Sequence, residues 1–343
     1  MGLSEGILYK KIKEGKVQCR MCSHFCLIEP GQRGTCGVRE NREGELYTHV
    51  RNRVAAANID PVEKKPLFHF LPGTQTFSIG TMGCNFSCSF CQNSTLSQTP
   101  KESGLISGET FSGDKIAEAA VQARAGSVSY TYSEPTVFTE LVLDTARLAR
   151  ASGLKNILVS NGFQSPDCLK ELGPYIDAAN IDLKAFTEDF YRDYCGARLE
   201  PVLKTLKKIK ELGWWLEITT LVITDLNDSG EELKRIAGFI AEELGSEVPW
   251  HISRFHPTYK MTDRPSTPVE RLEKAWELGK EAGLQFVYTG NVFGHDGENT
   301  YCPSCEQLLV RRTGFSAQNA GLARGKCSKC GHKTAGVGFN GLD

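Results

Sequence analysis

The stretch that decides the fold reads Gly80-Thr-Met-Gly-Cys84-Asn-Phe-Ser-Cys88-Ser-Phe-Cys91-Gln-Asn93, and it follows an apolar run typical of a β-strand. The spacing CxxxCxxC places three thiols on one short loop. Three thiolates so close together can bind three irons of a [4Fe–4S] cluster and leave the fourth iron open for chemistry. Phe86 and Phe90 alternate with the thiols and would shield such a cluster from water. A redox-inert structural metal is the alternative.

Charge and hydropathy limit which partners and which cellular location can be expected for the protein. The chain has 343 residues, with 40 basic and 41 acidic side chains and a formal charge of −1. This balance gives no electrostatic reason to expect nucleic acid or an anionic membrane as a partner. No segment approaches the ~18 apolar residues of a membrane span, and the first residues lack the apolar run of a signal peptide. We therefore expect a cytoplasmic protein with no membrane partner.

The cysteines fall into groups. Of the 13 cysteines, four lie near the N-terminus, three in the triplet and four near the C-terminus. In a reducing compartment, clustered cysteines are metal ligands or catalytic thiols more often than disulfides. Cys168 and Cys195 stand alone, and for these two we expect small, partly buried side chains without a reactive role.

Residues from about 73 to 295 alternate strand-like and helix-like segments, which predicts repeated βα units and a parallel sheet. The spacing of apolar residues predicts a helix over Pro201–Leu212 that Gly213 ends, and another that Ser112 caps and Gly126 ends. Seven strands are too few for the eight of a closed barrel, so we predict an α/β fold that is an open, partial (β/α) barrel. The predicted strands are Thr76–Thr81, Ser127–Tyr132, Asn156–Ser160, Ala178–Leu183, Leu216–Ile223, Pro249–Phe255 and Gln285–Thr289.

We divide the chain into a cysteine-rich segment over 1–72, the partial barrel over 73–295, and a second cysteine-rich segment over 296–343. Active sites of α/β barrels gather at the carboxyl ends of the strands. Each polar residue found there has an ordinary structural explanation, but their repeated placement on one edge predicts a site. The set comprises the cysteine triplet, Glu134, Asn161, Asp182, Lys184, His256 and Asn291.

The two outer cysteine groups predict further metal sites. Near the C-terminus, Cys302 and Cys305 form one CxxC pair, and Cys327 and Cys330 form another. Two such turns present four thiolates to one tetrahedral ion, which predicts a zinc ribbon, while a rubredoxin-like iron would use the same ligands. The N-terminal group, with His24 as a competing ligand, is compatible with zinc, which we slightly favour, or with a second Fe–S cluster that could relay electrons. This group consists of Cys19, Cys22, Cys26 and Cys36.

Taken together, these motifs resemble a known family, the radical S-adenosylmethionine (SAM) enzymes. Within it the chain resembles the radical SAM enzyme of the AmmeMemoRadiSam system, a group similar to pyruvate formate-lyase activating enzyme. The resemblance covers nearly the whole chain. It is carried by the two outer cysteine groups, the triplet, the segment from Val54 to Phe70, Tyr130-Thr-Tyr-Ser-Glu-Pro135 and His251-Ile-Ser-Arg-Phe-His-Pro257.

The resemblance implies roles for the residues on the strand edge. SAM would chelate the open iron, and an electron from the cluster would cleave it to a 5′-deoxyadenosyl radical. Glu134 would bind the SAM amine, beside Ser133, where the family usually has glycine; a carboxylate that starts a helix is the ordinary reading. Lys184 would pair with the SAM carboxylate and Asp182 would contact the sugar or a substrate, although an internal ion pair explains them equally well. The remaining assignments are Asn161 and Asn291 to cofactor binding and His256, which matches a histidine near SAM, to catalysis.

The function predicted from the sequence is therefore hydrogen abstraction from an unidentified protein or small-molecule substrate, with an electron donor such as flavodoxin or ferredoxin. A narrower alternative is an activase that installs a glycyl radical on a partner enzyme. The competing class is a metal-ribbon binding module without catalysis.

Overall fold

The computed structural model describes residues 3–292 and 296–342. The predicted boundary at residue 295 thus lies outside the described residues. The N-terminal part forms small antiparallel sheets, in the orders β1-β6-β5 and β2-β3-β4, while β7 pairs with β10 of the barrel part. These N-terminal strands are β1 Ser4–Glu5, β2 Tyr9–Lys11, β3 Val17–Cys19, β4 Leu27–Ile28, β5 Arg39–Arg42, β6 Glu45–Thr48 and β7 Arg53–Val54.

The barrel part alternates strands and helices. Its strands are β8 Ala56–Pro61, β9 Gln75–Gly80, β10 Glu109–Thr110, β11 Ser127–Tyr130, β12 Lys155–Ser160, β13 Ala178–Asp182, β14 Trp215–Val222, β15 Trp250–Arg254 and β16 Val287–Gly290. Its α-helices are α1 Ser94–Ser97, α2 Thr99–Glu102, α3 Gly113–Gln122, α4 Thr139–Ala151, α5 Pro166–Leu172, α6 Glu188–Phe190, α7 Leu199–Glu211, α8 Gly230–Phe239 and α9 Val269–Glu281. The π-helical turns Tyr191–Cys195 and Ile240–Leu244 continue α6 and α8.

The main sheet has the order β16-β15-β14-β13-β12-β11-β9-β8. Strands β9 and β11 to β16 pair in parallel, whereas β8 is antiparallel to β9. Within the described residues β16 does not pair with β8, so the barrel is open, as predicted. All seven predicted strands are present, with ends shifted by a residue or two. The additional edge strand, β8, comes from the segment that the sequence assigned to the N-terminal part.

The helices form for the reason that their patterns indicate. In α7, Val202, Leu206 and Ile209 are fully buried against the sheet, and each such side chain contributes roughly 1.5–3 kcal/mol of burial free energy. Helix α3 begins after Ser112, as predicted, but the Ser112 side chain makes no capping hydrogen bond. The helix also ends before the predicted stop, because Arg124, rather than Gly126, takes the left-handed conformation, with φ of 54°.

The segment that precedes β9 packs against buried polar groups of the sheet. The Glu217 carboxylate on β14 is fully buried and accepts backbone N–H bonds from Phe68, at 3.0 Å, and His69, at 2.8 Å. His251 on β15 also bonds Glu217, at 2.7 Å. A buried carboxylate is stable only when it is paired or hydrogen-bonded, and these contacts fix the segment against the barrel strands.

The C-terminal part is a small β-structure with its own apolar cluster, which includes Leu309, Val310 and Phe339. Arg312 anchors it to the barrel part by donating to the Phe68 carbonyl at 2.8 Å. Across the described ranges, no helix has the length and apolar character needed to span a bilayer. The C-terminal strands are β17 Thr300–Tyr301, β18 Leu308–Thr313, β19 Ser316–Asn319, β20 Leu322–Ala323 and β21 Lys326–Cys327; short 3₁₀ turns occupy Lys13–Gly15, Val62–Lys64, Pro135–Phe138, Asp296–Glu298 and Phe339–Leu342.

Candidate active site

The cysteine triplet lies on the loop after β9, at the carboxyl edge of the sheet. The strand ends at Gly80, where a Cβ atom would lie 2.7 Å from the Thr131 carbonyl oxygen; only glycine allows so close an approach. Beyond it, the Phe86 N–H donates to Cys84 Sγ at 3.3 Å. Cys91 Sγ lies 3.1 Å from Ser97 Oγ. The loop therefore provides an N–H to the Cys84 sulfur, and α1 places a hydroxyl within hydrogen-bond distance of the Cys91 sulfur.

Packing and a lysine fix the shape of this loop, hereafter the cluster loop, residues 81–93. Phe86 and Phe90 are 1% and 3% exposed, so both rings exclude water as the sequence predicted. Lys101 donates to the Phe86 carbonyl oxygen at 2.5 Å and to Ser87 Oγ at 3.1 Å. Gln98 Nε2 also donates to the Phe86 carbonyl, at 3.1 Å. Nothing in the local pattern had identified Lys101 or Gln98 as supports of the loop.

The three thiols are held in an environment that disfavours the free thiolate. Burial raises the pKa of Cys84 and of Cys91, and the Ser97 hydroxyl opposes part of the effect on Cys91. A hydrogen bond with Cys195, together with burial, raises the pKa of Cys88 well above its ordinary value. The thiols therefore stay protonated until a metal displaces their protons, so that metal binding is coupled to proton release.

Glu134 lies at the carboxyl edge after β11, and its carboxylate is already engaged. It accepts N–H bonds from Thr136 at 3.0 Å and from Asn161 at 2.9 Å, and an O–H bond from Ser160 at 2.8 Å. Burial raises its pKa, and these hydrogen bonds oppose the rise. Glu134 thus caps the 3₁₀ turn that follows it, as predicted by its interpretation as a carboxylate at the start of a helix. Its contact with a SAM amine stays a prediction.

Asn161, after β12, reaches the cluster loop. Its Nδ2 donates to Asn85 Oδ1 at 2.7 Å and lies 3.8 Å from Cys84 Sγ. Its own Oδ1 accepts the Phe163 N–H at 3.1 Å. Asn161 therefore joins the end of β12 to the triplet, and its direct contact with a cofactor stays a prediction. Asn85 was missed because its neighbours along the chain give no sign of this contact.

Asp182 and Lys184 lie at the end of β13, on the same face as expected for alternate strand positions. They form an ion pair of 3.0 Å, so the internal pair weighed from the sequence is present. Burial would lower the pKa of Lys184, but Asp182 and the nearby thiols of Cys88 and Cys195 outweigh burial and raise it well above its ordinary value. The structure thus places this cation beside the triplet. It also places Cys195, which was expected to have no role, next to Cys88.

The last two strands contribute less direct contacts. His256 is exposed, and its Nδ1 lies 2.9 Å from Ser266 Oγ. Asn291 donates to the Arg254 carbonyl at 3.2 Å. In the described part of the chain, neither of these hydrogen bonds reaches the triplet. The catalytic role of His256 and the cofactor-binding role of Asn291 therefore stay predictions. The loop after β15 does reach the triplet, because the Lys260 N–H donates to the Ser89 carbonyl at 3.0 Å.

The turn before Glu134 keeps a glycine-like shape without glycine. Tyr132 has φ of 66°, in the left-handed region that non-glycine residues enter at a cost of about 1–2 kcal/mol. Contacts of the ring offset this cost: Tyr132 Oη donates to Asp60 at 2.5 Å and accepts from Asn58 at 3.1 Å, and Lys65 Nζ lies 4.7 Å from the ring centroid. Tyr132 therefore holds the turn that leads into Glu134.

The residues around the triplet suit a cluster and a polar ligand. Among the described residues, Asn85 Nδ2, Ser89 Oγ and Ser133 Oγ are buried and have no hydrogen-bond partner. Unpaired buried polar atoms carry a desolvation cost that a bound ligand can remove. The three thiols, a partly buried lysine and unpaired polar atoms form a donor set suited to a [4Fe–4S] cluster with SAM. Cys84, Cys88 and Cys91 would hold the cluster, and Ser133 and Lys184 lie at positions from which SAM could be held.

The C-terminal cysteines form a compact group. The Sγ atoms of Cys302 and Cys330 are 3.6 Å apart, as are those of Cys305 and Cys327, and all four lie within 4.8 Å of one another. One tetrahedral ion with ~2.3 Å metal–sulfur bonds requires sulfurs at about this separation. The four cysteines can therefore hold a metal ion together, as the CxxC pairs predicted.

The N-terminal cysteines lie against the barrel. Cys19, Cys22 and Cys36 are buried, and Cys26 is partly exposed. The predicted competing ligand, His24, bonds elsewhere: its Nε2 donates to the Asn85 carbonyl at 2.8 Å. That contact joins the N-terminal group to the cluster loop, a connection that nothing in the sequence spacing predicts.

Comparison with known proteins agrees with this geometry. A family model described as the Radical SAM superfamily matches residues 78–240. The chain is 46% identical over 333 residues to an uncharacterised protein of Methanocaldococcus jannaschii, covering 96% of this chain and 98% of that protein. It is 20% identical to the pyruvate formate-lyase-activating enzyme of Clostridium pasteurianum, covering 61% of this chain and 92% of that enzyme.

A solved structure of SuiB from Streptococcus suis, bound to S-adenosylmethionine, has a similar fold. The TM-score is 0.50 at 16% identity, and the match covers 67% of this chain and 53% of that chain. At this identity the likeness speaks for the fold alone. The family model matches the stretch that carries the cysteine triplet and the strands from β9 to β14, so residues 78–240 form a radical SAM domain.

Proposed function

We propose that this chain is an enzyme that cleaves SAM reductively at a [4Fe–4S] cluster held by Cys84, Cys88 and Cys91, and that it abstracts a hydrogen atom from a protein or small-molecule substrate. The observation that carries the proposal is that the three thiols of the triplet, buried or partly buried, lie on one strand edge with Asn161 and the Asp182–Lys184 pair. When bound, the cluster supplies the electron that breaks the sulfonium bond of SAM.

The side chains of this edge have separable tasks in the proposal. The Phe86 N–H stabilises the negative charge of the Cys84 sulfur by its 3.3 Å contact, because hydrogen bonds to sulfur tune a cluster. Phe90 excludes water from the same side. Lys184 offsets negative charge near Cys88 and binds the SAM carboxylate. Ser133 and Glu134 meet the SAM amine, the serine through its unpartnered hydroxyl.

The test is anaerobic reconstitution with iron and sulfide, followed by SAM and dithionite and quantification of 5′-deoxyadenosine. We expect the wild-type protein to form it and the Cys84/Cys88/Cys91 triple-alanine variant to form none. Cys168→Ala is the matched control, since it removes another buried thiol, one that lies 3.5 Å from Thr139 on the α4 side. Absence of product from wild-type protein with a fully loaded cluster would contradict the proposal and favour a binding module without catalysis.

A narrower function, activation of a glycyl-radical enzyme, is favoured by the relatives. Besides the Clostridium protein, a putative glycyl-radical enzyme activating enzyme of Methanocaldococcus jannaschii is 26% identical over 202 residues. Incubating the loaded protein with SAM, reductant and a candidate partner should then give a persistent EPR doublet on the partner. The finer assignment to the AmmeMemoRadiSam system rests on the sequence motifs alone, and it fixes no substrate.

The remaining cofactors and partners complete the proposal. The C-terminal group binds zinc, supported by its tight sulfur spacing, and metal analysis of the purified protein tests this. The N-terminal group binds zinc or a second Fe–S cluster. The one-electron donor is a flavodoxin or ferredoxin, and the protein works in the cytoplasm, where the thiols stay reduced.

A further inference from the structure

The segment from Val54 to Phe70, which carries part of the family resemblance, has no task in the proposed function. Its first half forms the edge strand β8, antiparallel to β9. Asp60 lies opposite Thr76, and Asn58, two residues earlier, points to the same face of the sheet. Asp60 is 4% exposed, and a carboxylate buried at a sheet edge is stable only when it is paired or hydrogen-bonded.

Two lysines of the same segment pair with Asp60. Lys65 Nζ donates to Oδ2 at 2.6 Å, and Lys64 Nζ donates to Oδ1 at 2.8 Å. Lys65 is 2% exposed, so its pair with Asp60 is closed to water. Burial would raise the pKa of Asp60, but the hydrogen bonds from Lys64, Lys65 and Tyr132 outweigh burial and hold it well below its ordinary value. Asp60 is therefore a charged acceptor in a fixed position.

Three contacts with this segment hold the Tyr132 ring. Tyr132 Oη donates to Asp60 Oδ2 at 2.5 Å and accepts from Asn58 Nδ2 at 3.1 Å. Lys65 Nζ lies 4.7 Å from the ring centroid, within the range of a cation–π contact. Burial and the bond to Asp60 raise the pKa of Tyr132 to about 12, so the phenol stays a donor at neutral pH. A hydrogen bond to a charged acceptor is stronger than one to a neutral acceptor.

The anchored ring belongs to the turn that leads into Ser133 and Glu134. The Ser133 N–H donates to the Thr131 carbonyl at 2.9 Å, and Tyr132 between them has φ of 66°. A three-residue turn with positive φ at its centre is rare and strained. A Cβ atom at Gly80, the last residue of β9, would lie 2.7 Å from the same carbonyl and 3.1 Å from Tyr132 Cβ. The turn thus packs against the start of the cluster loop, and a shift of the ring would move Ser133 and Glu134 with it.

We propose that Tyr132 is a positioning residue for SAM. The Asp60–Lys65 pair holds its ring, and the ring holds the strained turn that presents Ser133 and Glu134 to the SAM amine. Asp60 and Lys65 act only through Tyr132. If the backbone conformation alone were decisive, glycine would serve equally well, because glycine takes positive φ without strain. The role towards SAM rests on the proposed function; the anchoring of the turn does not.

The role towards SAM is tested by equilibrium dialysis of labelled SAM against the anaerobically reconstituted full chain, without reductant, so that no cleavage is involved. Tyr132→Phe keeps the ring but loses the bond to Asp60, and the Kd for SAM should rise about tenfold. Tyr132→Gly accepts the backbone conformation but loses all three ring contacts, and it should bind SAM more weakly still. The matched control is Tyr130→Phe, which loses a buried 3.0 Å hydroxyl bond to Asn156 and should keep the Kd within about twofold of the wild type.

Three results would overturn the positioning role: an unchanged Kd in Tyr132→Phe, wild-type affinity in Tyr132→Gly, or equal weakening by Tyr132→Phe and Tyr130→Phe. The last would show that the loss of any buried hydroxyl bond has the same effect. Wild-type protein with a loaded cluster that binds no SAM would overturn the proposed function as well. Wild-type protein that binds and cleaves SAM, with both Tyr132 variants unaffected, would overturn the positioning role alone.

The anchoring is tested without SAM by hydrogen exchange of a peptide that covers residues 131–134. Exchange should accelerate about tenfold in Tyr132→Phe and stay at the wild-type rate in Tyr130→Phe. Asp60→Asn should accelerate it too, and adding Tyr132→Phe to Asp60→Asn should have no further effect, because both changes remove the same bond. Additive effects would refute the link between Asp60 and the turn. If Asp60→Asn does not fold, the comparison of Tyr132→Phe with Tyr130→Phe decides by itself.

Discussion

The buried ion pair between Arg39 and Glu140 should be among the most damaging places to remove a single charge. The Arg39 guanidinium on β5 donates from Nη2 to both carboxylate oxygens of Glu140 on α4, at 2.8 and 2.6 Å. The two side chains are 2% and 1% exposed. The pair therefore joins the N-terminal part to a barrel helix without access to water.

We expect Glu140→Gln to destabilise the protein by about 3–5 kcal/mol, since it leaves a buried guanidinium without its counter-charge. The matched control is Glu200→Gln, in the Lys204–Glu200 pair on α7, whose side chains are 73% and 64% exposed. Exposed pairs of this kind contribute about 0.3–0.5 kcal/mol. The double variant Arg39→Met/Glu140→Leu should recover most of the loss, because no charge is left unpaired.

The assay is anaerobic urea unfolding at fixed metal loading, with the change in midpoint converted through the m-value. Limited proteolysis of the N-terminal part reports whether it detaches before the barrel unfolds. If Glu140→Gln falls within 1 kcal/mol of the control, as an order-of-magnitude threshold for a surface pair, the pair does not carry the stability argued here. A double variant as unstable as Glu140→Gln would equally refute the unpaired-charge explanation.

Three further outcomes follow from the structure. Burial lowers the pKa of His69 to about 4, so the unfolded chain binds a proton before the folded chain does as the pH falls below ~6.5. Up to about 3 kcal/mol of stability should be lost between pH ~6.5 and pH ~4. The loss should be smaller in His69→Gln, and unfolding measured at several pH values will show this. Gly83→Ala would place a Cβ 2.6 Å from a Val38 methyl and should reduce iron loading of the triplet cysteines, which are proposed to hold the cluster. The control is Gly153→Ala, which is also at positive φ but has no atom within 4 Å; it should lower the stability only by the backbone cost of ~1–2 kcal/mol. Cys305→Ser should lower the zinc content by one ion per chain with no change in labile sulfide.

The parallel strands were predictable because each is a buried apolar run bounded by turn residues, and parallel pairing then places all of their carboxyl ends on one edge. This logic correctly located the triplet, Asn161 and the Asp182–Lys184 pair. It could not find β8, because Ala56–Pro61 is an edge strand with exposed residues, such as Ile59 at 53% exposure. Nor could it find Lys101, which supports the cluster loop only once the loop is folded.

Contacts between segments that are distant along the chain could not be predicted from the sequence either. Cys195 looked isolated in the sequence, yet its carbonyl, at the end of the π-helical turn, accepts the Ser87 N–H at 2.8 Å, and its thiol lies beside Cys88. His24 looked like a metal ligand because it stands among cysteines, but its ring bonds the Asn85 carbonyl. Spacing along the chain reports which residues are close in sequence. It carries no information on how the N-terminal cysteine group and the turn pack on the cluster loop.

The environment of Glu134 constrains how this site can recognise SAM. Oε1 already accepts from the Thr136 N–H, the Thr136 hydroxyl and the Ser160 hydroxyl, whereas Oε2 accepts only from the Asn161 N–H. Each carboxylate oxygen has about two acceptor positions, so only Oε2 keeps one free. An amine that binds iron through its lone pair keeps two N–H donors, and a single free acceptor position cannot accept both of them. If the SAM amine binds here as proposed, a further acceptor from the same turn would have to take its second N–H, and the Ser133 hydroxyl, buried without a partner in the described residues, lies in that turn.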